Sequence, residues 1–506
     1  MQQVYLFMDT GDGFRLLNDH TATVAALEGL TVRWGTDSPD TQPDPSVLTF
    51  TLRDRTGLLA GRAATMAGAR VLVQISEQPT WADMPAGTYA AATATWAGLH
   101  ATYTPGDPTG VDSTAITLFD GIVSTGGTVT PDARGYLLEL SASSRMILWK
   151  RLQSQGPTNS AAKWAGLHWV DIPVTRLATL NSRATAAGAP QADAAGLTRP
   201  PNVAPYPTDD YPSQLDLLHR MYATAPEMPL WGEYPSKASS RISYTALGTP
   251  ATLGMDAAGS LYTTVNGVKR PALDGSVVEG GESYDVPEPV TQITFGVKTV
   301  EKDNDGVLSF KDGETTFTSM DSLPANLTAT QSSMNVDTDV VTSDSTAGTW
   351  GGTIWTPSLS QRISAANWLY AVNMRIRPQG IVFDSRRIDP VNRPELYVSA
   401  PSGPIVFTNA SIHRLAGGDG LPAFTGAWTT IGGTLTYRWR NGDPVLRHEV
   451  TVWPLPAATM TTRLKWADIA GWPAQYRAVA CTWAELAVIS TFDSATTTTE
   501  TESEEQ

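Results

Sequence analysis

Residues 33–54 read "RWGTDSPDTQPDPSVLTFTLRD", and two kinds of sequence meet in them. The first half is polar and stiff, with Pro39, Pro43 and Pro45 inside seven positions. Proline fixes φ, lacks an N–H and pushes the preceding residue toward extended backbone. Residues 37–46 are therefore expected to form an extended approach that cannot pair continuously in a sheet. The second half alternates, with Leu48, Phe50 and Leu52 on one face and Thr49, Thr51 and Arg53 on the other. A period of two over six residues predicts a half-buried strand starting near Val47. Asp44, Pro45 and Ser46 make the last turn before it.

The same alternation recurs outward from this segment. Val71, Val73 and Ile75 show it, as do Tyr136, Leu138 and Leu140. Later examples are Ile293, Phe295 and Val297, then Val372, Met374 and Ile376, then Leu435, Tyr437 and Trp439. "LFDGIVSTGG" (118–127) reads as a strand interrupted by glycine, at a bulge or a corner. Short strands with 43 glycines and 35 prolines to punctuate them point to a mainly β fold.

Helical spacing is confined mainly to 170–225. In "DIPVTRLATLNSRATAAGAP" (171–190), Pro173 opens a helix, Val174, Leu177 and Leu180 share a face, and Gly188 and Pro190 end it. In "PSQLDLLHRMYATAP" (212–226), Ser213 is the candidate N-cap with Asp216 three residues on, and Leu217, Leu218, Met221 and Tyr222 form the apolar stripe. His219 is expected at this helix's surface. Residues 300–360, rich in Asp, Ser, Thr and Gly, suit long hairpins or loops. "SATTTTETESEEQ" (494–506) has nothing to bury and is expected to be disordered.

Composition narrows the chemistry. At 506 residues, 41% hydrophobic and 17% charged, the chain can build a substantial core. No apolar run approaches the roughly 18–20 residues of a membrane helix, and the first residues lack the pattern of a secretory signal. A single cysteine, Cys481, excludes an intrachain disulfide framework and a thiolate metal cluster. A net charge of −15 argues against electrostatic wrapping of nucleic acid.

Neither a His-Glu-x-x-His zinc motif, a Gly-x-Ser-x-Gly elbow nor a phosphate-cradling glycine loop is present. "DTGDG" (9–13) and "DNDG" (303–306) have the residues of calcium loops, but the bidentate glutamate of an EF-hand does not follow; hairpin turns are the simpler reading. A glycosidase carboxylate pair leaves no local mark and stays open. The 16 tryptophans suit sugar stacking, core packing and interfaces equally. No catalytic residue, metal or cofactor is assigned.

The opening segment is informative again at this point. Trp34-Gly35, Ser38-Pro39, Gln42-Pro43 and Pro45-Ser46, followed by Phe50 and Leu52, resemble a recurring segment of minor tail proteins from phages that infect actinobacteria. "ITLFDGIVSTGG" (116–127), "RGYLLELSASSRMIL" (134–148), "TIGGTLTYRW" (430–439) and "CTWAELAVIS" (481–490) are similar to further elements of that family. Many such proteins carry an Asp where "LELSASS" has Ser or Ala. The family is one of tail hubs, so the resemblance implies tandem tail-tube-like β-barrel or sandwich domains with a small helical insertion.

The expected division is a tube-like β domain over 1–155, a helical insertion with a peripheral β segment over 156–285, a second tube-like β domain over 286–490, and a disordered acidic tail over 491–506. The resemblance implies a non-enzymatic virion protein of the tail tip: a homotrimeric ring contacting a distal tail protein, the tape measure and tip or fibre proteins. DNA would pass through it without specific binding. It also implies that the proline arm packs near a neighbouring subunit, with Trp34, Pro39, Pro43 and Pro45 at the interface. The alternative is a surface loop whose Trp34 packs in its own core. A β-rich carbohydrate-active or receptor-binding tail protein acting on the host wall is the second functional reading.

Overall fold

The computed structural model describes residues 2–454 apart from 19–25, 78–115, 153–172, 205–211, 245–250, 274–281, 285–291, 319–332, 343–375, 398–404, 412–424 and shorter gaps of a few residues. The first strands are β1 (Gln2–Asp9), β2 (Phe14–Leu16), β3 (Ala26–Gly35), β4 (Val47–Asp54), β5 (Arg70–Glu77), β6 (Ile116–Val123), β7 (Thr128–Asp132) and β8 (Gly135–Ser144). Helices α1 (Ile147–Arg151), α2 (Pro173–Ala186) and α3 (Gln214–Tyr222) come next, with short strands β9 (Gln191–Ala192), β10 (Trp231–Tyr234) and β11 (Arg241–Tyr244). The remaining strands are β12 (Ala251–Met255), β13 (Leu261–Val265), β14 (Val268–Leu273), β15 (Glu282–Tyr284), β16 (Gln292–Lys302), β17 (Leu308–Thr318), β18 (Ser333–Thr342), β19 (Ile376–Pro378), β20 (Ile381–Asp384), β21 (Ile405–Ser411), β22 (Thr425–Arg440) and β23 (Asp443–Pro454). The fold is mainly β with a small helical part, as the sequence predicts.

The expected strand at Val47 starts there. Leu48, Phe50 and Leu52 are buried, and Thr49 is exposed on the opposite face. Register extends this alternation across four strands. Leu435, Val32, Leu48 and Ala142 form one buried row, and Tyr437, Leu30, Phe50 and Leu140 the next. Between them, Thr436, Thr31, Thr49 and Ser141 form a hydroxyl row on the other face. A slip of one residue in any strand would exchange the two faces, so burial locks the register.

These strands belong to a fifteen-stranded sheet whose main path is β14-β13-β12-β21-β22-β3-β4-β8-β6-β5-β1-β2. Strands from both ends of the chain are therefore hydrogen-bonded to each other through β22 and β3. Gly35 permits the close approach at that seam: it has φ +74°, and a Cβ there would lie 2.1 Å from the Ile431 carbonyl oxygen. Strand β6 runs unbroken through Gly121. The irregularity falls beside it, where the register with β5 shifts between Val73 and Gln74, and β6 meets β8 only at Gly121–Val123.

The helical part has its own core. Ser213 and Asp216 form the expected capping box, and Leu217, Leu218, Met221 and Tyr222 are buried. That stripe packs with Trp149, Leu180, Trp231 and Ile242, and with Ile293, Phe295, Val297 and Val340 from the three-stranded sheet β17-β16-β18. Asp9 accepts hydrogen bonds from the N–H groups of Gly11 (2.8 Å) and Gly13 (3.0 Å), so "DTGDG" is a hairpin turn between β1 and β2. Val372, Met374, "CTWAELAVIS" and the acidic tail lie outside the described residues.

Candidate functional site

The proline arm between β3 and β4 makes a set of contacts within its own chain and runs across it as a strap. Trp34, only 5% exposed, points inward, and its Nε1–H donates to His448 Nε2 at 3.0 Å. Because Nε2 accepts, the imidazole proton sits on Nδ1, which is 2.8 Å from the Leu396 carbonyl oxygen and donates to it. Burial pushes the His448 pKa down to about 4, which keeps the ring neutral.

Beyond Trp34 the strap crosses to the helical part. Gln42 Nε2 donates to the Pro229 carbonyl at 2.9 Å, and the Trp231 N–H donates to Gln42 Oε1 at 3.2 Å. One amide side chain thus satisfies two backbone groups of the segment leading into β10. Pro43 and Pro45 are buried, Asp44 pairs with Lys150 of α1 at 2.7 Å, and the Ser144 N–H donates to the Ser46 carbonyl. Pro39 lies outside the described residues. The prolines answer a physical need, since a stiff segment loses little conformational entropy when it spans two packed units.

A buried polar junction lies behind the strap. Asp120 of β6 is 1% exposed and takes a bidentate ion pair from Arg70 of β5, with both contacts at 2.8 Å. It also accepts from Ser240 Oγ at 2.6 Å, next to β11, and from Arg145 at 3.5 Å. Glu233 of β10 is 4% exposed, and its Oε2 accepts the Met146 N–H at 2.6 Å. Burial, reinforced by the negative charge of Asp120, pushes the Glu233 pKa up to about 8. Asp120 thereby ties β5 and β6 of the large sheet to the residue preceding β11, and Glu233 ties β10 to the residue preceding α1.

His219 is not at the surface as expected. It is half-buried, its Nε2 is shielded from solvent without a hydrogen-bond partner, and burial lowers its pKa to about 4. The ring turns toward a cavity of about 240 Å³ lined also by Gln42, Arg220, Pro229 and Asn335. Among the described residues, no group of three or more His, Cys, Asp or Glu side chains is placed to hold a metal, and no helix is long and apolar enough to cross a membrane.

No known family model matches the chain, and no curated protein matches it. Among solved structures, a tail protein from Neisseria meningitidis aligns at 9% identity over 90% of this chain and 99% of its own, with a TM-score of 0.43. The 43 kDa tail protein of prophage MuSo2 from Shewanella oneidensis aligns at 8% identity over 88% and 98%, with a TM-score of 0.45. A prophage tail protein from Listeria monocytogenes aligns at 8% identity over 88% and 94%, with a TM-score of 0.36. These similar structures are all tail proteins.

His448, Asp120 and Glu233 were not singled out by sequence. A signal did exist for two of them. His448 interrupts the inward series Leu446, Val450, Val452, and Asp120 interrupts the apolar run of β6. A polar side chain at a core position needs a partner, but the partners are 414 residues away for His448 and 50 for Asp120.

Proposed function

We propose that the chain is a structural component of a phage tail, a hub ring that joins the tail tube to the tip and forms part of the DNA channel. One observation carries this reading. Segments resembling the tail-hub family are scattered from residue 34 to residue 490, yet those within the described residues, from 34 to 439, are neighbouring strands in the fold, in the order β22-β3-β4-β8-β6. Scattered similarities that converge on one sheet are what a shared structural unit requires.

In this reading three copies form a closed ring, each with two tube-like β portions facing a sixfold tube. Distal tail, tape-measure and tip or fibre proteins are the neighbours. At −15 per chain the ring carries a strong negative charge, which repels the phosphate backbone and lets DNA slide. No catalytic role is assigned to the chain. Symmetry-resolved electron microscopy of assembled tails is the test: three copies on the tail axis at the tip are expected, and a peripheral, sixfold or single-copy position rejects the hub. Dose-dependent release of sugars or peptides from purified host wall would favour the carbohydrate-active reading instead.

A further inference from the structure

At one end of the large sheet, β22, β3, β4 and the turn between β7 and β8 enclose a groove of about 630 Å³, lined by Leu27, Glu28, Arg53, Arg55, Arg134 and Trp439. Sites for small ligands span roughly 300–1,000 Å³. The charges around this groove cancel. Arg53 pairs with Glu28, and with Asp132 at 2.6 Å; Arg134 lies in the field of Asp132, and Arg55 follows buried Asp54. An ionic partner of either sign therefore gains little from the groove as a whole.

What the groove offers instead is donors set beside acceptors. A guanidinium only donates and a carboxylate only accepts. Neighbouring hydroxyl groups do both, so they can serve each half of such a pair. Glu28, Arg55 and Arg134 are all exposed for this. Trp439 supplies the apolar side. It is 42% exposed, and its Nε1–H donates to the Leu27 carbonyl oxygen at 3.0 Å. The polar atom of the indole is thus satisfied within the chain, and a ligand meets Trp439 through ring surface.

The backbone of the groove is fixed as well. The Arg134 N–H donates to Asp132 Oδ1 at 2.7 Å, and Asp54 accepts the N–H groups of Thr56, Gly57, Leu59 and Ala60 in the loop that follows Arg55. Little backbone freedom remains to be lost on binding.

We propose that this groove binds a neutral saccharide, with one sugar ring stacked on Trp439 and its hydroxyls hydrogen-bonded to Glu28, Arg55 and Arg134. A sugar ring has an apolar C–H face and an edge of hydroxyls, which matches an aromatic surface set among paired ions. The inference assigns a binding site and no reaction, and it rests on the groove and not on the tail reading.

The test presents the full chain to an array of immobilised neutral oligosaccharides, of pyranose and furanose sugars, with oligogalacturonate as an anionic control. Binding is then measured by calorimetry at low and high salt. At least one neutral oligosaccharide is expected to bind, with an affinity changed by less than about twofold by salt. Trp439→Ala should weaken binding by about tenfold or more, and Trp439→Phe, which keeps a ring, by less. Arg55→Ala/Arg134→Ala should weaken it by about fivefold or more. Melting curves identify any variant that fails to fold; Arg55 and Arg134 are exposed, so their double variant keeps the test valid if Trp439→Ala does not fold. Displacement by the matching free monosaccharide supports a single-sugar ligand, and displacement by the oligosaccharide alone supports a glycan chain. No binding to any neutral oligosaccharide, binding of the anionic control alone, or binding unchanged in the variants would each overturn the proposal. The position and symmetry of the chain in an assembled tail bear on the hub reading alone, so the two can fail separately.

Discussion

Trp34 and His448 form a pair whose value depends on both members. Removing the indole N–H while keeping an aromatic ring leaves His448 Nε2 buried and unsatisfied. Trp34→Phe is therefore expected to cost about 1–3 kcal/mol in denaturant unfolding, with the β signature of the fold intact. The same histidine predicts acid sensitivity. Its folded pKa of about 4 lies below the ordinary 6.5, so between those values the unfolded chain binds a proton that the folded chain refuses. Stability should fall as pH drops through that window, by about 3 kcal/mol for His448 if the full shift is realised. Half-buried His219 adds a smaller loss of the same sign. Equilibrium unfolding at pH steps from neutral to acid checks this, most cleanly in a Glu233→Gln background, where an opposing slope is absent.

Individual elements differ in how much they depend on distant residues. Helix α3 carries its own start signal, and Ser213→Ala should cost about 1 kcal/mol by removing the side-chain half of a local capping box. The seam between β3 and β22 has no such local signature. Gly35 reads as an ordinary turn glycine, but its positive φ and the Ile431 carbonyl beside it leave no room for a methyl group. Gly35→Ala should cost more than about 2 kcal/mol. Hydrogen exchange should show the loss concentrated at the β3–β22 seam, and a uniform change across both cores would refute that placement.

Across the molecule, Asp120 and Glu233 make the join between sheet and helical part dependent on pH. Glu233 has a folded pKa of about 8 against an ordinary 4.5, so from 4.5 to 8 the folded chain holds a proton that the unfolded chain has lost. Stability from this group is present at low pH and disappears as pH rises through that range, opposite in sign to the histidines. Above pH 8 an ionised Glu233 faces Asp120 in a buried site, and the join should loosen before the rest of the fold. Glu233→Gln imitates the protonated form and should raise stability by about 2 kcal/mol or more in mild alkali. Faster exchange of amides in β10 and β11 above pH 8 in wild type, absent in the variant, is the accompanying observation.

Much of this architecture was legible in the chain. Strands at Leu48–Leu52, Val71–Ile75 and Ile293–Val297, the capped helix at Ser213 and the hairpin at Asp9 all appear where periodicity and turn chemistry put them. Each depends on residues a few positions apart, so backbone sterics and the choice of one buried face suffice to specify it. The proline strap was legible as a stiff, extended segment, but its contacts were not. Whether Trp34 points outward or inward depends on His448, and what the strap binds depends on Pro229 and Trp231, far away in the chain. His219 likewise has the sequence context of a surface residue until strand β18 and the strap close over its helix. Pairings of this kind carry no local period: they arise when burial brings distant polar groups together and removes the water that would otherwise satisfy them.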